Sequence, residues 1–278
     1  MKIFYKKSDL IDELNKSRAS KLSIGFVPTM GALHMGHLSL LKKSLIKNKI
    51  TVVSIFINPT QFNNTADLTT YPKNFNNDCK LLKSLSNEII VFAPKEQEIY
   101  NNGVITNDYD FYGLDKFMEG KFRNNHFNGV ATVVQLLLDI VEPNSAYFGE
   151  KDYQQLKIIS CIKTNVDIIG CPTLRDENGL ALSSRNNRIS VESREIASNI
   201  FKNLNFVKSN FTKLSIENLT VKVTHNINSF DQMKLEYFVI ADQDKLVPIT
   251  IANDEKKYRA FIAVFVDGIR LIDNIALN

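Results

Sequence analysis

The sequence predicts an α/β protein in which a parallel sheet is followed by a smaller α+β domain. Three observations carry this: short, continuous β-branched runs, amphipathic helices between them, and a change of pattern after about residue 185. The runs KLSIGFVP (21–28), ITVVSIFI (50–57) and EIIVFAP (88–94) are too uniformly apolar for strands with one wet face. Between them, HLSLLKKSLIKNK and NFNNDCKLLKSLSN repeat apolar residues at threes and fours, as helices do. Doubly buried strands alternating with helices imply a parallel sheet with right-handed crossovers. The alternation continues through NGVATVVQLLLDIVEP, SAYFGE, DYQQLKIISCIKTN and VDIIGCP, ending near residue 172. Beyond it, SVESREIASNIFKNLNFVKS reads as helical, VKVTHNINSF is ambiguous, and LEYFVIAD and YRAFIAVFVDGIRLIDN read as strands with Asp267-Gly268 as a hairpin turn. Pro248 argues against a central strand around it. The resulting division is a Rossmann-like domain over 1–176 and a small α+β domain over 177–278.

Composition narrows the function classes. With 34 basic and 30 acidic residues the formal charge is +4, in a chain 23% charged and 44% hydrophobic, as in a soluble globular protein. The lysines are scattered, so no basic stripe marks a nucleic-acid partner. No segment approaches 18 uncharged apolar residues and the first residues, MKIFYKKSDLIDELNK, lack an apolar core, which argues against secretion or membrane spanning. Cys79, Cys161 and Cys171 are too few and too widely spaced for a disulfide framework and predict a reducing, cytoplasmic setting. Asn pairs at 63–64, 76–77, 101–102, 124–125 and 186–187 read as loop composition without chemistry of their own.

Four segments carry candidate chemistry. The first, VPTMGALHMGH (27–37), runs from a strand end to a helix start, the binding edge of an open α/β sheet. Gly31 and Gly36 allow a phosphate close to the backbone, and His34 and His37 can turn two imidazoles toward one ligand to stabilise charge at a phosphate. The structural alternative makes the histidines satisfied polar groups and Met30 and Met35 packing filler. The segment fits neither G-x-G-x-x-G nor a Walker loop, and His126 and His225 supply no zinc spacing. The second, Asn58-Pro59-Thr60-Gln61-Phe62, offers two amides beside an aromatic ring to grip a small hydroxy acid, or else an amide-capped turn. Tyr71-Pro72 and Asp78 are candidates to frame the same cleft, Asp78 either as a water-mediated Mg²⁺ ligand or as a surface acid.

The third segment, FGEKDYQQL (148–156), is again a strand end entering a helix: Gly149 for backbone access, Lys151 for phosphate, Asp152 for a metal or a helix cap, and Gln155 to reach toward the acid held by Gln61. The fourth comprises Arg175 and GLALSSRNNRIS (179–190), where Ser183, Ser184 and Arg185 suit a phosphate-closing loop or a polar linker.

Together, PTMGALHMGHLSL, VVSIFINPTQF, YP followed by Asp78, the stretch from FR through HFNGVATVV, FGEKDYQQL and GLALSSRN resemble the pantoate–β-alanine ligase (pantothenate synthetase) family in order and spacing. His34 and His37 resemble the signature pair of the wider HIGH-motif nucleotidyl transferases, which by itself leaves adenylyl transfer to another acid or phosphate ester open. The resemblance implies ATP-dependent condensation of pantoate with β-alanine through a pantoyl adenylate, with Mg²⁺ on the ATP phosphates, releasing AMP and pyrophosphate. It implies an ATP site of Met30, Gly31, Ala32, Leu33, His34, Met35, Gly36 and His37 together with Gly149, Glu150, Lys151, Asp152, Leu174, Leu182, Ser183, Ser184 and Arg185. It further implies pantoate contacts from Gln61 and Gln155 with Asn58 beside them, a lid-like second domain, and a homodimer. One departure stands out: the family has Pro-Gly where this chain has Asn124-Asn125, and Asn can take the left-handed conformation that Gly favours.

Overall fold

The computed structural model describes residues 1–62, 68–100 and 103–278, so the Asn63-Asn64 and Asn101-Asn102 pairs lie outside the described residues. Among the described residues, six parallel strands pair in the order β1-β4-β3-β2-β5-β6: β1 (Lys2–Phe4), β2 (Ile24–Thr29), β3 (Ile50–Ile55), β4 (Ile90–Phe92), β5 (Ser145–Gly149) and β6 (Asp167–Cys171). The continuous apolar runs are buried because helices cover them; Phe26, Val27, Val52, Val53, Val91 and Phe92 are all fully enclosed. The chain winds outward from β2 through β3 to β4, then returns to β2's other side as β5. β2 pairs with β5 only at Gly25↔Ser145 and Phe26↔Ala146, whereas it follows β3 along all six residues. The strands therefore part toward their C-terminal ends at the point where winding reverses, which is where open α/β sheets bind ligands.

Helices α1 (Lys7–Ala19), α2 (Met35–Lys47), α3 (Phe75–Leu85), α4 (Glu96–Ile99), α5 (Glu119–Phe122), α6 (His126–Val141) and α7 (Tyr153–Ile159) intervene. β1 and α1 were not legible in the sequence. β1 is a three-residue edge strand, and α1 buries only Leu10 and Leu14 completely among charged neighbours.

The remaining helices are α8 (Val191–Ala197), α9 (Asn199–Asn210) and α10 (Ile216–Asn228), followed by an antiparallel sheet β7 (Met233–Asp242), β8 (Tyr258–Val266) and β9 (Ile269–Ala276). The helical stretch over 190–209 forms two helices that meet at Ser198, and the ambiguous VKVTHNINSF is helical through Asn228. Ser215 decides the latter locally, its hydroxyl capping the Asn218 N–H at 3.1 Å. Asp267 (φ +47°) and Gly268 (φ +74°) make the hairpin turn, and Pro248 bridges Ala241 from outside the strands.

The chain divides into two units: Met1–Phe111, Arg123–Glu150 and Ile158–Pro172 in the first, Tyr112–Phe122, Lys151–Lys157 and Thr173–Asn278 in the second. This differs from a single cut at 176/177, because two earlier segments join the second unit through side chains. Gln154 donates to the Leu114 and Phe117 carbonyls, Arg270 forks onto Glu119, and Asn274 donates to the Lys151 carbonyl at 2.8 Å. The second unit has its own core, with Leu204, Val207, Leu219, Val223, Ile262 and Val264 fully buried.

Candidate active site

In the first unit, the β2–α2 connection is held in a specific shape. Thr29 Oγ1 donates to the Ser54 carbonyl at 2.7 Å and accepts the Gly31 N–H at 3.2 Å. Gly31 (φ +82°) and Ala32 (φ +49°) are both left-handed, and a Cβ at Gly31 would press on Ile55 and Asp78 at 3.1 and 3.2 Å. His34 is the N-cap of α2. Its Nδ1 accepts the Gly36 N–H at 3.1 Å, while His37 Nδ1 accepts the His34 N–H at 3.3 Å. Because each Nδ1 is an acceptor, the neutral rings carry their proton on Nε2. The rings lie 4.1 Å apart, so the three-residue spacing does bring the imidazoles together. Met35 is exposed, but Leu33 is buried in the core with Val27, Leu41 and Val53, so its side chain packs inward.

Asp78 lies in the first turn of α3, buried, with its two oxygens accepting the Ala32 N–H at 3.0 Å and the Leu33 N–H at 2.7 Å. Burial pushes its carboxyl above the usual carboxylate value against the pull of those amides. This placement corrects one sequence-based alternative: Asp78 is not a surface acid, and each of its oxygens accepts a backbone N–H. Among the described residues no group of three or more His, Cys, Asp or Glu gathers to hold a metal. Nothing in residue spacing signals a partner 46 positions away. Beside this loop is a cavity of about 320 Å³ whose lining includes Met30, Ala32, Ile55, Ile57, Phe75 and Glu96.

The turn after β3 is a platform for Gln61. Asn58 is almost completely buried and its amide is used internally: Oδ1 accepts from Tyr100 Oη at 2.6 Å and Thr60 Oγ1 at 3.1 Å, and Nδ2 donates to the Gly129 carbonyl at 3.2 Å. These bonds anchor the turn. Gln61 is half-buried; its carbonyl accepts from Arg123 at 3.1 Å and lies 2.9 Å from His126 Nδ1. Asn125, preceding α6, is left-handed at φ +58°, so the loop keeps a glycine-like conformation without glycine. Tyr100 and Gly129, which complete this platform, carried no sequence signal beyond their residue types.

The chain leaves β5 at Gly149 and makes a 3-10 turn over Glu150–Asp152. In the second unit, Lys151 Nζ lies 3.6 Å from Asp152 Oδ1, and Tyr153 stacks under the Arg259 guanidinium at 3.9 Å. Gln155 is half-buried on α7, whereas Gln154 is buried and structural. Leu174 and Leu182 are joined by a backbone hydrogen bond of 3.0 Å across a small hairpin, with Arg175 bridged to Ala181. Arg175 is occupied with Asp273 in a two-pronged ion pair and with the face of Phe201 at 3.7 Å. Ser183 caps the following turn through the Arg185 N–H at 3.2 Å, and Ser184 is buried.

A family model described as pantoate-beta-alanine ligase matches residues 2–276. The chain is 47% identical over 282 residues to the pantothenate synthetases of Christiangramia forsetii and Flavobacterium psychrophilum, covering 100% of each chain in both cases. Among solved structures, a Thermus thermophilus pantothenate synthetase superposes with a TM-score of 0.90 at 34% identity, covering 100% of this chain and 99% of that one. The Francisella tularensis pantoate-beta-alanine ligase complexed with beta-gamma ATP and beta-alanine gives 0.81 at 38% identity, covering 100% and 98%.

Proposed function

Since the chain belongs to the pantoate–β-alanine ligase family and joins those two substrates at the expense of ATP, we propose that it does so in two steps through a pantoyl adenylate. The pantoate carboxylate attacks the α-phosphorus and pyrophosphate leaves. The free amine of β-alanine then attacks the acyl carbon, forming the amide and expelling AMP. A carboxylate needs no base to attack, so the first step is limited by charge on the phosphates rather than by proton removal.

The observation that carries this reading is the pair of imidazoles at the start of α2, their ring centroids 4.1 Å apart and each Nδ1 accepting a backbone N–H. A helix N-terminus and two neutral N–H donors form an anion-binding arrangement. We assign ATP binding to residues 30–37, Gly149 and Glu150 of the first unit and to Lys151, Asp152, Leu174, Leu182, Ser183, Ser184 and Arg185 of the second. In that assignment Leu33 contributes its backbone. Lys151 supplies a point charge and Arg185 a fork suited to phosphate. We assign pantoate to Gln61 and Gln155, with Asn58 beside them in the turn that carries Gln61. Mg²⁺ would accompany the ATP phosphates and offset their charge, as this ion commonly does in nucleotide sites. Family membership supports a homodimer. The free thiols of all three cysteines suit a cytoplasmic enzyme, and no helix among the described residues is long and apolar enough to cross a membrane.

The test is pantoate-dependent exchange of pyrophosphate into ATP without β-alanine. Wild-type protein should catalyse it, and His37→Ala should lose about 10²-fold in kcat while keeping its fold. Exchange supported only by a phosphate ester, or full activity in His37→Ala, would overturn the reading.

A further inference from the structure

Three features of the first unit meet at one carboxylate. The Gly31-Ala32 pair is left-handed at both residues, and an alanine in that region is unfavourable by about 1 kcal/mol. Such conformations persist only where the surroundings over-determine them. The successive N–H groups of Ala32 and Leu33 converge on the two oxygens of buried Asp78, a concave pair of amides matched to an anion. The carboxylate is itself supported, since it lies in the first turn of α3, where the helix dipole favours negative charge, and Asn74 caps that helix through the Asn77 N–H at 3.2 Å. Leu33 is followed directly by His34, whose backbone and ring fix both imidazoles.

We propose that Asp78 is a positioning residue for adenylyl transfer: through the amides of Ala32 and Leu33 it fixes the turn that aims the Nε2–H groups of His34 and His37. The inference rests on the assignment of those histidines to ATP. Asp78 touches neither substrate nor metal in this role. The isosteric Asp78→Asn keeps one acceptor but turns an amide N–H toward a backbone N–H, so the turn loses one of its two anchors. Asp78→Glu keeps the charge and moves it by one methylene.

In pantoate-dependent ATP–pyrophosphate exchange, both variants should lose about tenfold to a hundredfold in kcat, with KM for ATP and the Mg²⁺ concentration for half-activation changed less than about threefold. The ring ¹⁵N signals of His34 and His37 should move away from the Nε2–H tautomer pattern, while those of His225 stay in place. A merely structural role would lower thermal stability without moving the two rings. Wild-type kcat in either folded variant, unmoved His34 and His37 signals, or recovery of activity at high Mg²⁺ would overturn the proposal, the last by returning Asp78 to metal binding. Should Asp78→Asn fail to fold, Asp78→Glu reads the same outcomes. Full activity in His37→Ala would instead sink the assignment of the histidines.

Discussion

Asn125 carries a local cost that the rest of its loop offsets. At φ +58° an L-residue is strained, asparagine less than most because its short amide bonds nearby groups. Here its Oδ1 accepts from Asn128 Nδ2 at 3.0 Å and its Nδ2 donates to Thr106 Oγ1 at 3.3 Å. Asn125→Ala forfeits both bonds in the same conformation and should lose about 1 kcal/mol in urea unfolding. Asn125→Gly, which exchanges the bonds for an unstrained backbone, should stay within about 0.5 kcal/mol of wild type. Equal losses in the two variants would show that the left-handed conformation is not what asparagine is there to tolerate. This feature was legible in the sequence because backbone preference belongs to the residue itself. The role of Asp78 was not, because it depends on two amides that only the folded chain brings near.

At the scale of elements, the seat of α6 on the turn after β3 sets where Gln61 stands. Gly129 lets the helix approach so closely that a Cβ there would lie 2.4 Å from the Thr60 carbonyl oxygen. The backbone on both sides is fixed, the turn by Asn58 and the helix by its own ladder, so an added methyl has no flexible side chain to displace. Gly129→Ala should therefore cost about 1–3 kcal/mol and raise KM for pantoate more than KM for ATP, a split that steady-state kinetics reads directly. Wild-type stability would mean that the helix slides without penalty. The helix itself was readable from its apolar period, as were β2 to β6, since burial on both faces leaves continuous β-branched runs. What defeated the reading were elements whose partners lie far along the chain. β1 is three residues at a sheet edge, and the 112–122 segment is recruited by Arg270 and Gln154.

Global stability against pH reports on that recruitment. Arg270 forks onto both oxygens of Glu119, at 2.8 and 2.7 Å, and also bonds Glu236, while Tyr237 donates to Glu119 at 2.8 Å. Desolvation of the Tyr237 phenol, followed by the negative charge of Glu119, pushes its pKa well above the ordinary value. An unfolded tyrosine releases its proton near pH 10, whereas the folded one holds it longer. Between those values the native state binds more protons than the unfolded chain, so stability falls as pH rises. Tyr237→Phe should be less stable than wild type by about 0.5–1.5 kcal/mol at pH 8, for the lost hydrogen bond. Above about pH 10 the gap should narrow, because the variant no longer has this phenol to ionise on unfolding. Tyr100, raised chiefly by burial, contributes a falling limb of the same sign to both proteins and cancels in the difference. Urea unfolding of the pair from pH 8 to pH 10.5 measures the gap, and a gap that stays constant would show that burial and the Glu119 charge do not hold the proton on Tyr237.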